Sequence, residues 1–263
     1  MENDFINLET VSSGLSGFKN NKPFDHAVVD GFFKDEIARA LEADFPDFDD
    51  SAWYVYKNSI EDKKALNDWN RFPHLTYKVF SFLNSKEFVD YLSKAVGIEL
   101  YPDVGLHGGG WHIHGTGGNL NPHLDYSIHP KMGLQRRINI IMYLSRDLKP
   151  GMGGELGLWS HNQQLNSPKD LVVEVLPVFN RAVIFDTSQN SWHGMSRVLT
   201  CPENVYRKSL AVYYLCKPEA QCQEHQRAYF APRDHQKDDG EVLDLILRRA
   251  DLHNSKEVYK TEK

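Results

Sequence analysis

The chain has 263 residues, 41% hydrophobic and 25% charged, the balance of an ordinary globular protein with enough apolar residues for one sizeable core. A net charge of -6 with no long basic run argues against a nucleic-acid backbone as partner, and no stretch approaches the ~20 apolar residues of a membrane helix. The acidic N-terminus lacks a secretory apolar run, and Cys201, Cys216 and Cys222 show no metal-ligand spacing, so reduced thiols in a cytoplasmic protein are expected.

In chain order, residues 1–22 are polar, rich in Ser, Gly and Asn, and expected to be poorly ordered. Residues 23–103 form a mixed support region. It has strand-like alternation over 24–29, helical spacing of Ile37, Ala38 and Leu41 within 34–43, and two further helices over 75–82 and 87–96, with Gly97 as a stop. From 104 to 216 the texture changes to short apolar runs broken by Gly, Pro, Asn and Asp. Strands are expected at 111–114, 121–126, 137–145, 155–159, 171–176, 182–185, 192–199 and 207–215. So many short strands predict a sandwich or barrel rather than a parallel sheet. Residues 217–263 are an extension with a helix over 241–252. The expected fold is α+β: helices packed on a jelly-roll-like β core, one structural domain without internal repeats.

The segment Asn121-Pro-His-Leu-Asp-Tyr carries the first chemical signal. On a strand, His123 and Asp125 point to one face and Leu124 to the other, so an imidazole and a carboxylate can share one ion. A third ligand must come from elsewhere, and Ser191-Trp-His-Gly offers His193. Two His and one carboxylate leave coordination positions open for cosubstrate and dioxygen, the arrangement of non-haem Fe(II) oxygenases. The bland alternative makes His123 a turn residue and Asp125 a solvated one.

Along 207–215, Arg207, Ser209, Ala211 and Tyr213 share a face: a guanidinium followed by two small side chains, hence a slot with a cation at its end. A planar, permanently charged fork suits the distal carboxylate of a dicarboxylate, and Ser209 can add a donor. On 137–145, Arg137, Asn139, Ile141 and Tyr143 share a face, and the Tyr143 hydroxyl is a second donor for the same carboxylate. A surface ion pair for Arg207 and a half-buried core tyrosine are the alternatives.

Residues 110–215 resemble the prolyl-4-hydroxylase-like branch of the Fe(II)/2-oxoglutarate oxygenases. The resemblance lies in Asn-Pro-His-Leu-Asp (121–125), Arg-Ile-Asn-Ile-Ile-Met-Tyr-Leu-Ser (137–145), Gly-Gly-Glu-Leu (153–156), Ala-Val-Ile-Phe-Asp (182–186), Trp-His-Gly-Met (192–195) and Arg-Lys-Ser-Leu-Ala-Val-Tyr-Tyr-Leu (207–215), in that order. It implies a double-stranded β-helix (jelly-roll, cupin-like) core, iron on His123, Asp125 and His193, and 2-oxoglutarate on Arg207 with help from Tyr143. Ser209 and Asn139 are further candidates for that subsite. The implied cofactors are Fe(II), 2-oxoglutarate and dioxygen, with ascorbate as the reductant that would keep the iron ferrous. The implied reaction is hydroxylation, with succinate and carbon dioxide as coproducts. Retention of Asp125 speaks against halogenation, which needs that coordination position for halide.

The sequence departs from the family in two places. The interval from His193 to Arg207 is long, which leaves Arg197 as a rival anchor. Upstream, where the family often has a tyrosine, Trp111-His-Ile-His supplies His112 and His114, read here as structural. His129 is close enough in sequence to Asp125 to line a pocket. The substrate is expected to be an amino-acid- or sugar-type small molecule, or a peptidyl side chain. It should enter past Trp53, Tyr54, Tyr56, Trp69 and Arg71 and the loops 127–135 and 147–153. Nucleic acid and membrane are not expected partners, and the chain is expected to be a monomer or homodimer. A zinc hydrolase using the same triad, or a non-catalytic β-sandwich binding module, would share parts of this pattern, although no HExxH motif is present.

Overall fold

Apolar periodicity sets the helices. The computed structural model describes residues 4–220, 222, 227–251 and 258. In chain order its first elements are α1 (Leu8–Leu15), β1 (His26–Asp30), α2 (Asp35–Ala43), the hairpin of β2 (Tyr54–Lys57) and β3 (Glu61–Leu66), α3 (His74–Leu83) and α4 (Lys86–Val96). Helix α4 begins on the Ser85 hydroxyl, which accepts from Phe88 N–H, and stops at Gly97 in the left-handed conformation.

The remaining strands are β4 (Tyr101–Pro102), β5 (Gly110–His114), β6 (Asn119–Leu120), β7 (His123–Leu124), β8 (Gln135–Tyr143), β9 (Leu156–Asn162), β10 (Ser167–Val175), β11 (Arg181–Asp186), β12 (His193–Met195), β13 (Arg207–Cys216) and β14 (Tyr229–Phe230), followed by α5 (Gly240–Ala250). They form two antiparallel sheets. The larger runs β1-β11-β8-β13-β5-β3-β2, with β4 on β13 and β6 on β3. The smaller runs β10-β9-β12-β7-β14. This is the expected α+β arrangement, a double-stranded β-helix with helices on one side.

Period-two alternation divides the larger sheet. Ile138, Ile140, Met142, Leu210, Val212 and Tyr214 face the helices and share one core with Phe80, Phe88 and Leu92. Tyr143, Val183 and Phe185, on the opposite parity, pack with Leu156 and Leu158 of the smaller sheet. The space between the sheets is closed by apolar packing at one end and open as a cavity at the other.

Four expectations are corrected. Segment 1–22 contains α1, which buries Val11 and Leu15, while Ile6 bridges to Phe33, so a polar composition concealed a two-residue anchor stripe. The β2–β3 hairpin adds two strands within the mixed support region, where none was expected after residue 29. Residues 121–126 and 192–199 are paired as strands only over His123–Leu124 and His193–Met195. The C-terminal helix ends at Ala250, and Leu252 lies outside the described residues.

Candidate active site

His123 and His193 face each other across the antiparallel pairing of β7 and β12, and Asp125 follows one residue past β7. His123 Nε2 is 3.8 Å from Asp125 Oδ1, and His193 Nε2 is 3.6 Å from Asp125 Oδ2. One ligand atom from each lies within 4.8 Å of the others, so the three can hold one ion. Each imidazole uses Nδ1 on the backbone carbonyl two residues earlier, His123 on Asn121 O at 3.0 Å and His193 on Ser191 O at 2.8 Å. A carbonyl only accepts, so Nδ1 carries the proton and Nε2 presents its lone pair to the shared point.

Electrostatics favour a cation there. Burial drives His123 well below the ordinary imidazole pKa and lowers His193 too, so both are neutral ligands. Burial alone would raise Asp125, but the Arg136 guanidinium and the two imidazoles outweigh it and hold the carboxyl below its usual range. Asp125 Oδ2 is buried without a hydrogen-bond partner. An ionised, orphaned carboxylate oxygen between two bare imidazole nitrogens fits a divalent metal, which would remove the desolvation penalty.

The larger sheet supplies the opposite wall of a cavity of about 330 Å³. Arg207, Ser209, Ala211 and Tyr213 all line it, as their common parity requires, together with Asn139 and Ile141. Arg207 is 5% exposed. Its Nε donates to Gly154 O at 2.7 Å and its Nη2 to the Tyr143 hydroxyl at 3.2 Å. Gly154 is required: its φ is +78°, and a Cβ there would lie 3.0 Å from Arg207 Cδ. Asn139 Oδ1 is buried without a partner.

Several expectations are settled by position. Arg197 is not at the slot: its side chain is 57% exposed and bound to Glu155 at 2.6 Å. His112 and His114 line the cavity instead of packing in the core, opposite Ser209 and Arg207 on β13. His114 is 2% exposed, with both ring nitrogens unpartnered. His129 stands behind the wall, 3.5 Å from Asp103, and His107 lines the cavity. Arg137 does not share the face of Asn139. A register shift where β13 pairs with β8 opposes Leu215 to Arg136 and Tyr214 to Ile138. Arg137 therefore pairs with Asp186 and Glu219, and Arg136 enters the cavity.

Arg136 is thus a site residue that the alternation rule missed. Its Nε lies 3.5 Å from Asp125 Oδ2, and its guanidinium carbon lies over the rings of Tyr213 and Tyr126, 3.2 and 4.4 Å from their centroids. Of the expected entrance residues, Tyr56 and Pro130 line the cavity, Trp53 and Trp69 pack in the helical core, and loop 147–153 contributes no lining residue.

Residues 109–215 match the family model described as the 2OG-Fe(II) oxygenase superfamily. The matched stretch contains His123, Asp125, His193, Tyr143 and Arg207. The chain is 26% identical over 199 residues to a prolyl 3-hydroxylase of Mus musculus, a match covering 73% of this chain. It spans about a third of that relative's length (33%). Among solved structures it resembles a Pseudomonas putida prolyl-4-hydroxylase, with TM-score 0.55 and 17% identity over 79% of this chain and 100% of that one. It also resembles a Phytophthora capsici prolyl 4-hydroxylase, with TM-score 0.53 and 19% identity over 95% of this chain and 77% of that one. At these identities the structural likenesses establish the double-stranded β-helix fold. Among the described residues no helix is long and apolar enough to cross a membrane.

Proposed function

We propose that this chain is an Fe(II)- and 2-oxoglutarate-dependent oxygenase that hydroxylates an unactivated C–H bond of a small molecule of amino-acid or sugar type, with succinate and carbon dioxide as coproducts. The observation that carries the reading is one cavity holding the His123, Asp125 and His193 constellation on one wall and the buried Arg207 on the other. In this reading His123, Asp125 and His193 hold Fe(II), and Arg207 with Tyr143 holds the distal carboxylate of 2-oxoglutarate, flanked by Ser209 and Asn139. Fe(II), 2-oxoglutarate and dioxygen supply the oxidising chemistry. The protein fixes Nε2 of both histidines, keeps Asp125 ionised and excludes water from the reacting centre.

A cavity of about 330 Å³ is small for a ligand site and must also take the cosubstrate. What remains accommodates one compact group, which supports a small metabolite. A peptidyl side chain inserted from outside also fits, and the name of the mouse relative favours that second reading. The deciding experiment is succinate formation with Fe(II) and 2-oxoglutarate across metabolite pools and proline-containing peptides. Stimulation by metabolites supports the first reading, and stimulation by peptides alone overturns it.

A further inference from the structure

The β3 strand sits inside the larger sheet, between β2 and β5, yet it is built of Glu-Asp-Lys-Lys-Ala-Leu. Alternation turns Glu61, Lys63 and Ala65 to the cavity. Lys64, of opposite parity, bonds Phe48 O, and Leu66 joins the helical core. Nothing in sheet packing calls for charge on the inward face, where burying an ion costs several kcal/mol unless it is paired.

The inward charges are only partly compensated. Glu61 is fully buried and bound to Arg249 of α5 at 3.1 Å. Lys63 Nζ is 3.8 Å from the other Glu61 oxygen, beyond hydrogen-bond distance, and 4.9 Å from the Tyr56 ring centroid. Among the described residues no hydrogen bond is made by the Lys63 ammonium, whose side chain is 16% exposed beside the cavity. Burial lowers its pKa, and its field is felt at Asp125, His123, His193 and His112. The ammonium shares one cavity with His123, Asp125 and His193 and has three donors to offer.

The charge of the whole cavity points the same way. Among the described residues, Lys63, Arg136, Arg207, Arg227 and Arg249 line it against Glu61 and Asp125, in a chain whose net charge is -6. Fe(II) and Arg207 together balance Asp125 and the two carboxylates of 2-oxoglutarate. Four cations then remain facing one acid, Glu61. In a low-dielectric space that excess favours an anionic ligand.

We propose that the substrate is a small organic anion whose carboxylate or phosphate is held by Lys63, with the Arg249–Glu61 pair behind it positioning that ammonium. The proposal rests on the oxygenase reading given above and narrows its substrate class. Lys63 takes the anionic group at one end, and the C–H bond to be hydroxylated then lies toward His123, Asp125 and His193.

The test uses the full chain with Fe(II) and 2-oxoglutarate. A deproteinised cell extract is divided on an anion exchanger into flow-through and bound fractions. The bound fraction is expected to accelerate succinate formation and the flow-through is not. Phosphatase treatment then assigns the group: loss of stimulation means a phosphate, survival a carboxylate. With Lys63→Met, the amount of bound fraction needed for half-maximal stimulation should rise about tenfold or more, as loss of a charged hydrogen bond implies. Lys63→Arg should recover most of that loss, with the KM for 2-oxoglutarate little changed in both variants. Stimulation by the flow-through, a wild-type response from Lys63→Met, or silence of both fractions overturns the clamp. The visible charge-transfer band of the Fe(II)–2-oxoglutarate complex under nitrogen separates the two levels. If the band forms and the clamp fails, only the substrate class is wrong; if it never forms, the oxygenase reading falls with it.

Discussion

His123 and His193 are direct partners across an antiparallel ladder, their ring centroids 4.3 Å apart, and each is held by the carbonyl two residues before it. Two strands far apart in sequence thus present the same local device to one point. Phe230 stacks on His123 and Phe185 tilts against His193, so both rings are also fixed by apolar contact.

Removing either imbalances the site in a defined way. His123→Ala or His193→Ala should abolish stoichiometric Fe(II) binding and 2-oxoglutarate decarboxylation, because a His and a carboxylate do not hold the ion alone. Metal content after dialysis and succinate release measure the two effects. Normal turnover in either variant would refute the metal assignment.

The 2-oxoglutarate anchor is tested by two arginines. Arg207→Ala should raise the KM for 2-oxoglutarate roughly tenfold to a hundredfold, since hydrogen bonds to a charged group contribute about 1.5–3 kcal/mol and about 1.4 kcal/mol is tenfold. Fe(II) affinity should change little. Arg197→Ala should leave that KM near wild type, because its guanidinium is exposed on Glu155. Initial rates against 2-oxoglutarate concentration decide between them, and the reverse ranking would move the anchor.

Gly194 lets β12 approach β7 closely enough for the two histidines to converge. A Cβ at this position would stand 2.6 Å from Asn121 O, the carbonyl that orients His123. Gly194→Ala should cost about 1–3 kcal/mol of stability, as overpacking usually does, and weaken metal binding as well. Thermal unfolding and Mn(II) titration followed by electron paramagnetic resonance read the two losses. Unchanged Mn(II) affinity would show that the close approach is not needed.

Acid should destabilise the metal-free protein through the cavity histidines. Burial depresses His112 from an ordinary 6.5 to about 3, and His114 well below 6.5. Above 6.5 neither the folded nor the unfolded chain protonates these rings. As pH falls from 6.5 toward about 3, the unfolded chain takes up protons that the folded one refuses, so stability drops. The midpoint of thermal unfolding should therefore fall over that window, less steeply in His112→Gln/His114→Gln. An equal slope in the variant would place the pH dependence elsewhere.

Much of the site was legible in the sequence because it obeys local rules. The period of two put Arg207, Ser209, Ala211 and Tyr213 on one face, and all four line the cavity. His-x-Asp followed by a distant Trp-His-Gly marked three residues that do converge. By itself, then, the sequence determined which residue types were available, the parity of the strand residues away from the register shift, and the resemblance to the oxygenases.

Tertiary structure alone decided what surrounds them. A one-residue register shift exchanged Arg137 for Arg136, which no alternation rule could foresee because the shift depends on the partner strand. The exposed ion pair of Arg197 and the cavity positions of His112 and His114 follow from which strands became neighbours. Glu61 and Lys63 became part of the cavity wall only through the pairing of β3 with β5 and β6. Burial, and hence charge cost and pKa, belongs to the assembled sheets, since a side chain is desolvated only by what packs over it.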